Sequence, residues 1–298
     1  MNLDEIQTEE RNSLTSNIDS LSTIEMVELI NSEDKKVAFA VEKEKENIAE
    51  AVDLIAEGMK AGGRLVYIGC GTSGRLGVLD AVECPPTFST EYSEIIGLIA
   101  GGYDAIFRAK EGAEDDWQLG EEDLKSISFA EKDILVGIAA SGRTPYVLGA
   151  MKYAKSLGAH VIGISCNPGS PVESLAEVAI TPVPGPEVIT GSTRMKSGTA
   201  QKMVLNMLST GAMIKLGKVY GNLMVDVKAT NEKLIHRCKK IVCEAVGVDE
   251  ASATEALEKC SYRAKTAIVM LKKNIDADEA ERLLEENDGR ISLAVGEI

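Results

Sequence analysis

A short glycine-rich turn followed by an isolated carboxylate is the most informative part of this 298-residue sequence. An apolar strand predicted over residues 64–68 leads into the turn 71–74 (Gly-Thr-Ser-Gly), where a helix is predicted to begin. Such a turn directs backbone N–H groups and hydroxyls to the positive end of a helix dipole, where an anion binds. Glu83 precedes two prolines, which we expect to end that helix. This arrangement indicates acid/base chemistry on a phosphorylated small molecule.

Two further turns share this composition. Residues 140–144 (Ala-Ser-Gly-Arg-Thr) follow another predicted strand, and residues 191–194 (Gly-Ser-Thr-Arg) precede another predicted helix. A single turn of this kind is more often a plain strand–helix connection, but three of them favour a phosphate site. Neither of the first two ends in Gly-Lys-Ser/Thr, so neither is a Walker A loop. The candidate substrate contacts are Gly71, Thr72, Ser73, Ser141, Gly142, Thr144, Ser192, Thr193, Arg194 and Lys196.

The candidate acid/base groups are carboxylates. Glu83 has an alternative interpretation of nearly equal weight, as an exposed residue at the end of a helix. The acidic cluster Glu111, Glu114, Asp115 and Asp116 could supply a second carboxylate, although such runs are usually solvated. The residues themselves do not distinguish among these four.

Composition excludes several classes of protein. The net charge of −15 disfavours binding to nucleic acid or to an anionic membrane, and the 44% hydrophobic content is that of a globular protein. Six cysteines without a CxxC pair predict reduced thiols in a cytoplasmic protein. His160 and His236 lack neighbouring metal ligands, so we expect no metal centre. No apolar run approaches the length of about 20 residues that a membrane span requires.

The candidate residues must be positioned by an alternation of strands and helices. Runs that are apolar throughout, separated by helical patterns, predict a doubly wound, five-stranded parallel sheet with helices on both faces. Its ligands would bind outside the carboxyl ends of the strands. The predicted strands are 65–68, 95–100, 134–139, 161–165 and 178–183. The predicted helices of this region are 33–61, 75–82, 104–120, 145–157, 171–176 and 192–216.

Three regions are predicted along the chain. Residues 1–35 form a polar segment and a helix that Ser22 or Thr23 would cap, and residues 36–225 form the α/β domain. Residues 226–298 carry a helix over 228–246 and three shorter helical patterns over 249–258, 261–271 and 276–287. The last region is therefore predicted to be a small helical bundle.

The motifs resemble those of a known family along nearly the whole chain. The matching segments include 8–12, 18–23, 68–75, 83–87, 111–116, 140–145 and 190–202. The chain is similar to the SIS phosphosugar-binding proteins and, more narrowly, to the N-acetylmuramic acid 6-phosphate etherases. The blocks 83–87 (Glu-Cys-Pro-Pro-Thr) and 191–196 (Gly-Ser-Thr-Arg-Met-Lys) are specific to these etherases and to the related glucokinase regulatory proteins. Ser13 and Val82 depart from the family pattern without removing a group that the chemistry needs.

The resemblance implies an activity and roles for residues. It implies cleavage of the D-lactyl ether of N-acetylmuramic acid 6-phosphate, without a cofactor, in cytoplasmic catabolism and recycling of cell-wall amino sugars. Glu83 would be the acid and Glu114 the base. Ser73, Ser141 and Thr144 would hold the phosphate, and Ser192, Thr193, Arg194 and Lys196 would complete the pocket. The resemblance also implies a homodimer and a UBA-like C-terminal bundle.

Three rival functions remain less well supported. A phosphosugar isomerase would share the fold but would not need Glu83 as an acid for a departing alkoxide. A non-catalytic phosphosugar sensor like the glucokinase regulators would carry two tandem phosphosugar domains, and this chain has room for one. A transcriptional regulator would need a DNA-binding domain, but the first 50 residues are acidic and lack a helix-turn-helix pattern.

Overall fold

The computed structural model describes residues 6–297, so residues 1–5 of the predicted N-terminal segment and residue 298 lie outside the described residues. The described chain divides into two compact units. The first comprises 6–83 and Tyr92–Ser209, and the second comprises Cys84–Glu91 and 210–297. Every predicted site residue belongs to the first unit. The domain boundaries predicted at 35/36 and 225/226 stay a prediction.

The N-terminal part of the first unit is helical. Helix α1 (Thr23–Glu42) begins in a capping box in which Ser22 and Glu25 satisfy each other's backbone N–H groups, as the predicted cap requires. A second helix, α2, covers Lys45–Lys60. The single helix predicted over 33–61 is therefore wrong. The break falls at Glu44, whose carboxylate accepts hydrogen bonds from Asn47 Nδ2 at 2.9 Å and Thr181 N at 3.0 Å.

The central sheet has five parallel strands in the order β2-β1-β3-β4-β5, which confirms the predicted sheet. At its carboxyl edge, Gly69 of β1 lies opposite Ile99 of β2 and Ile138 of β3. This register places the chain segments that follow these three strands side by side. The strands are β1 (Leu65–Gly69), β2 (Ile95–Ile99), β3 (Ile134–Ile138), β4 (His160–Ile164) and β5 (Val178–Ile180).

Alternate residues of the strands pack on opposite faces of the sheet. Val66 and Ile68 of β1 join a buried cluster with Tyr146 and Met151, whereas Tyr67 faces the other side, beneath Gly77. A Cβ atom at Gly77 would lie 2.9 Å from the Cβ of Tyr67, so this helix approaches the sheet closely. The crossover helices are α3 (Gly71–Phe88), α4 (Tyr103–Phe107), α5 (Trp117–Ser126), α6 (Pro145–Ser156) and α7 (Pro171–Leu175), and β5 leads to α8 (Lys196–Lys215).

Two further helix predictions are wrong. Helix α3 continues through Pro85 and Pro86, and Ser89 N still donates to Pro85 O at 3.0 Å. The fixed φ of proline is compatible with a helix, so the cost is the loss of two intrahelical donors. The helix predicted over 104–120 is interrupted, because Gly112 has φ +80° and a 3₁₀ turn covers Ala113–Asp115.

The second unit, described by itself, is mainly helical. A hairpin pairs β6 (Val219–Tyr220) with β7 (Leu223–Met224), an element that the sequence patterns did not predict. The helices share one buried cluster that includes Cys238, Leu257, Ile268 and Ala280, which confirms the predicted helical region. They are α9 (Glu232–Val246), α10 (Glu250–Lys259), α11 (Ala264–Lys273), α12 (Ala277–Glu286) and α13 (Ile291–Val295). The UBA-like character stays a prediction.

Within residues 6–297, none of the helices combines the length and the apolar character needed to cross a membrane.

Candidate functional site

The turn between β1 and α3 has the backbone geometry of an anion cradle. Helix α3 begins at Gly71, which has φ +53°, two residues after β1 ends at Gly69. The turn is tight, because a Cβ atom at Gly74 would lie 2.6 Å from the carbonyl oxygen of Gly69. The N–H groups in the first turn of a helix have no acceptor within the helix. Those of Gly71, Thr72 and Ser73 are therefore available to an anion at the carboxyl edge of the sheet.

The second turn, residues 140–144, lies at the same edge, because β3 is the direct neighbour of β1. Gly142 has φ +68°, and a Cβ atom there would lie 2.3 Å from the side chain of Ser170. Ser141 Oγ accepts a hydrogen bond from Arg143 N at 3.3 Å. Thr144 precedes α6, and its side chain forms no capping hydrogen bond with described residues. The structure therefore brings the first two predicted turns together.

The first turns of α8, the helix that follows the third turn, pack against the first turn. A Cβ atom at Gly198 would lie 3.4 Å from Thr72 Cγ2, and the Ser73 hydroxyl donates to Gln201 Oε1 at 2.9 Å. Gln201 is 1% exposed, and its Nε2 has no hydrogen-bond partner among residues 6–297. The candidate residues did not include Gln201, and its only sequence signal is its place in the matching segment 190–202.

The start of α8 is already occupied by a carboxylate that the sequence patterns did not single out. The two oxygens of Glu187 accept hydrogen bonds from Lys196 N and Ser197 N, each at 2.9 Å. Glu187 is fully buried, so it neutralises the positive end of this helix dipole from inside the protein. The third turn can therefore contribute to a substrate site through side chains rather than through the start of its helix. Ser192 and Thr193 are half-buried, and Arg194 is exposed.

Lys196 does not have the position expected of a substrate contact. Its ammonium group is buried and donates to Glu33 Oε2 at 2.7 Å and to Pro184 O at 3.1 Å, and the whole residue is 1% exposed. Burial alone would raise the pKa of Glu33, but hydrogen bonds from Lys196, Lys36 and Asn12 bring it below its ordinary value. The structure therefore contradicts Lys196 as a pocket residue and gives it a structural ion pair.

Glu114 is held beside the first turn by its neighbours in the chain. Arg75 of α3 anchors α4 through hydrogen bonds to Ala105 O at 2.7 Å and Ile106 O at 2.9 Å. Asp116 caps α5 by accepting from two backbone N–H groups, which leaves it a structural role. Between these anchors, Glu114 Oε2 lies 3.9 Å from Cys70 Sγ. Of the four acidic candidates, Glu114 is thus the one that contacts the β1–α3 turn.

The contact between Cys70 and Glu114 affects the pKa of the Cys70 thiol. Burial, and next to it the charge of Glu114, raise the pKa of Cys70 to about 11. Cys70 is therefore a neutral thiol at physiological pH and a weak donor to the carboxylate.

Glu83 lies on an exposed part of α3, twelve residues after Gly71. At a rise of about 1.5 Å per residue, its Cα is ~18 Å along the helix axis from that of Gly71. The structure therefore does not bring Glu83 together with Glu114 within one chain. Its neighbours Leu79 and Val82 are also exposed.

Comparisons with known proteins agree with this architecture. The family model of the SIS domain matches residues 122–211, and that of the glucokinase regulatory protein N-terminal SIS domain matches residues 47–155. The C-terminal lid domain of glucokinase regulatory protein matches residues 221–276. A similar fold occurs in a putative phosphosugar isomerase involved in capsule formation from Bacteroides fragilis. That structure has a TM-score of 0.50 and 24% identity, and the match covers 66% of this chain and 94% of that one.

Sequence relatives define the family more narrowly. The N-acetylmuramic acid 6-phosphate etherase of Clostridium beijerinckii is 59% identical over 298 residues, covering 100% of this chain and 98% of that protein. The N-acetylmuramic acid 6-phosphate etherase of Photobacterium profundum is 59% identical over 295 residues, covering 99% of this chain and 98% of that protein. Identity at this level over the full length, on the SIS fold described above, means that the chain belongs to the N-acetylmuramic acid 6-phosphate etherase family.

Proposed function

We propose that the protein cleaves the D-lactyl ether of N-acetylmuramic acid 6-phosphate and releases N-acetylglucosamine 6-phosphate and D-lactate. The observation that carries this proposal is the position of Glu114 beside the β1–α3 turn. The β1–α3 turn can hold a phosphate, and the carboxylate of Glu114 can remove a proton from the same small molecule. The 6-phosphate would bind to the N–H groups of Gly71, Thr72 and Ser73, with Ser141 and Thr144 from the neighbouring turn.

The first half of the reaction is an elimination. In the open-chain sugar, the C2 proton is acidic because it lies next to the C1 aldehyde, and Glu114 accepts it. The bond between C3 and the ether oxygen then breaks, and the electron pair of that bond leaves with the oxygen. Glu83 supplies the proton that the departing lactate hydroxyl needs. The product in the site is an aldehyde with a C2–C3 double bond.

The second half returns both carboxyl groups to their starting states. Water adds its oxygen to C3 after giving a proton to Glu83, and Glu114 returns its proton to C2. Two carboxyl groups in opposite protonation states therefore carry out the whole sequence. Binding of the phosphate holds C2 in place for Glu114 through both steps.

The test is D-lactate release from N-acetylmuramic acid 6-phosphate by the parent protein and by Glu83→Ala, Glu114→Ala and Glu111→Ala. We expect release by the parent and by Glu111→Ala, the matched control from the same acidic segment. The Glu83 and Glu114 variants should lose at least about a hundredfold in rate, because each lacks one proton-transfer group. Binding of N-acetylglucosamine 6-phosphate, measured by calorimetry, should persist in all four. Binding without release by the parent would contradict the enzymatic function and leave a phosphosugar sensor.

We further propose that the protein is a cytoplasmic homodimer that acts on sugars of the bacterial cell wall. The exposed Leu79 and Val82 of α3 and Met207 of α8 support self-association, because large apolar side chains are more stable when covered. Sedimentation analysis should give about twice the chain mass of 31.8 kDa.

A further inference from the structure

We propose that Gln201 is a positioning residue for the phosphate cradle. When a phosphate monoester binds at the β1–α3 turn, the side-chain amide of Gln201 turns over and donates a hydrogen bond to Ser73 instead of accepting one. The reversal releases the proton of the Ser73 hydroxyl, which then donates to the phosphate. This inference rests on the proposed function in one respect, that the phosphate binds at this turn.

The hydroxyl of Ser73 has a single proton, and in the structure Gln201 receives it. Ser73 Oγ is the donor and Gln201 Oε1 the acceptor of a hydrogen bond of 2.9 Å. The charged oxygens of a phosphate monoester are acceptors. With its proton directed at Gln201, the hydroxyl presents only lone pairs to such a group. Ser73 can therefore add its hydroxyl to the cradle only if Gln201 ceases to be its acceptor.

A glutamine side chain is suited to this exchange, because its amide carries an acceptor and a donor on one planar group. Half a turn about the last side-chain bond exchanges the positions of Oε1 and Nε2 with little change of shape. Nε2 of Gln201 would then donate to Ser73 Oγ, and Ser73 would donate to the phosphate. Successive hydrogen bonds in such a chain strengthen one another.

The surroundings of Gln201 favour the exchange. The residue is 1% exposed, and its Nε2 is buried without a hydrogen-bond partner within residues 6–297. No hydrogen bond of Nε2 to these residues has to break when the amide turns. The turned amide gives Nε2 an acceptor in Ser73, so the cost of a buried, unpaired NH2 group is removed. The carbonyl oxygen loses its partner instead, which is the more common case for buried groups.

Helix α8 holds Gln201 in a fixed position relative to the cradle. The buried carboxylate of Glu187 accepts hydrogen bonds from the first two N–H groups of the helix. A Cβ atom at Gly198 would lie 3.4 Å from Thr72 Cγ2, so this side of α8 packs directly on the turn. Gln201 follows Gly198 by three residues and shares that side. The amide can therefore turn in place, without movement of the backbone.

The test is a double-mutant cycle on phosphosugar binding with Ser73→Ala and Gln201→Met. Calorimetry on the full chain measures the affinity for N-acetylglucosamine 6-phosphate. Ser73→Ala should weaken binding about tenfold, because it removes one hydrogen bond to a charged group. Gln201→Met should weaken binding about threefold or more, because methionine has a similar shape but cannot donate to Ser73. In the Ser73→Ala background, Gln201→Met should change the affinity by less than about twofold.

The control is Gln118→Met, the same substitution at an exposed glutamine of α5, which should bind like the parent. Effects of Ser73→Ala and Gln201→Met that simply add in the double variant would overturn the proposal.

Stability separates positioning from support of the fold. Gln201→Met removes a buried NH2 group that has no partner in the described part of the chain, so this variant should resist urea at least as well as the parent. Weaker binding without a loss of stability is the expected combination. A Gln201→Met protein that binds like the parent but unfolds at lower urea concentration would leave Gln201 a structural role only and overturn the proposal.

The amide can also be followed in the parent protein, because the sequence contains three glutamines, Gln7, Gln118 and Gln201. NMR of protein labelled with ¹⁵N in the glutamine side chains shows one pair of NH2 signals for each, and Gln7→Met and Gln118→Met assign the third pair by elimination. Saturation with N-acetylglucosamine 6-phosphate should shift the Gln201 pair in the parent. It should shift much less in Ser73→Ala. A Gln201 pair that does not respond in the parent would overturn the proposal.

Lactate release is a separate measurement. A parent that shows the coupling between Ser73 and Gln201 but releases no lactate would contradict the proposed function and leave the role of Gln201 intact. Lactate release without the coupling would overturn the role of Gln201 alone.

Discussion

The thiol of Cys70 lies where the phosphate cradle and the base of the proposed reaction meet. Its Sγ contacts the carboxylate of Glu114, and the next residue, Gly71, begins α3. Close by, the Ser73 hydroxyl is hydrogen-bonded to the buried amide of Gln201. Single polar side chains thus connect the cradle to the base on one side and to α8 on the other. The effect of a change at one of these residues should therefore be measurable on a single titrating group, the thiol of Cys70.

Replacement of Glu114 should lower the pKa of Cys70. In the parent, burial and the Glu114 charge raise that pKa to about 11, so removal of the charge in Glu114→Gln makes the thiolate less unfavourable. The rate of Cys70 alkylation by iodoacetamide, followed by peptide-resolved mass spectrometry between pH 7 and pH 11, reports the thiolate fraction. The profile of Glu114→Gln should move to lower pH. Glu111→Gln should leave it in place, and an equal shift in both variants would contradict the specific contact.

At the scale of elements, the site depends on two strand–helix connections that only certain backbones can form. The β1–α3 turn needs Gly74 because a Cβ atom there would clash with the Gly69 carbonyl oxygen. The β3–α6 turn needs Gly142 because a Cβ atom there would clash with the side chain of Ser170. Helix α8 is held differently, by the buried carboxylate of Glu187 at its first N–H groups. Each helix start near the site is thus fixed by a close contact with a residue that lies outside that helix.

Gly142→Ala should destabilise the protein more than Gly169→Ala does. Both glycines have positive φ, of +68° and +69°, so each alanine carries the strain of a left-handed backbone, about 1 kcal/mol. At Gly142 the new Cβ would also lie 2.3 Å from Ser170, whereas at Gly169 it meets no atom within 4 Å. Overpacking of this kind costs about 1–3 kcal/mol more. Urea unfolding measures the difference, and equal losses of stability would contradict the clash at Ser170.

Across the first unit as a whole, an ion pair between the buried Asp133 and the partly exposed Arg64 links β1 and β3 at the amino edge of the sheet. Asp133, which precedes β3, accepts hydrogen bonds from Arg64 N at 2.9 Å and from Arg64 Nη2 at 2.6 Å, and Arg64 precedes β1. Burial would raise the pKa of Asp133, but the hydrogen bonds from Arg64 and Ala130 outweigh it and hold the pKa below its ordinary value. The polar site edge and this ion pair therefore lie at opposite ends of the same strands.

The ion pair predicts how stability depends on pH. A carboxyl group whose pKa is lower in the folded state stabilises the protein above its unfolded pKa, about 3.9, and loses this contribution as the pH falls through the folded value. Asp133→Asn should cost about 2 kcal/mol at pH 7, because it removes the charge from the hydrogen bonds to the partly exposed Arg64. Its unfolding free energy should then depend less on pH below 4 than that of the parent. Exposed Asp19→Asn serves as the control, and a pH profile of Asp133→Asn that matches the parent would refute the role of this pair.

The sequence alone was sufficient for the features that depend on neighbours in the chain. Apolar runs specified the five strands, helical spacing specified the helical C-terminal region, and local motifs specified the turns, Glu83 and the family. The tertiary structure decided what depends on residues far apart in sequence. It selected Glu114 through its contact with Cys70, paired Lys196 with Glu33, and brought Gln201 to Ser73. It also separated Glu83 from Glu114. Periodicity reports which face of an element is buried, but a side chain takes its partner only when distant segments pack, and no local pattern encodes that.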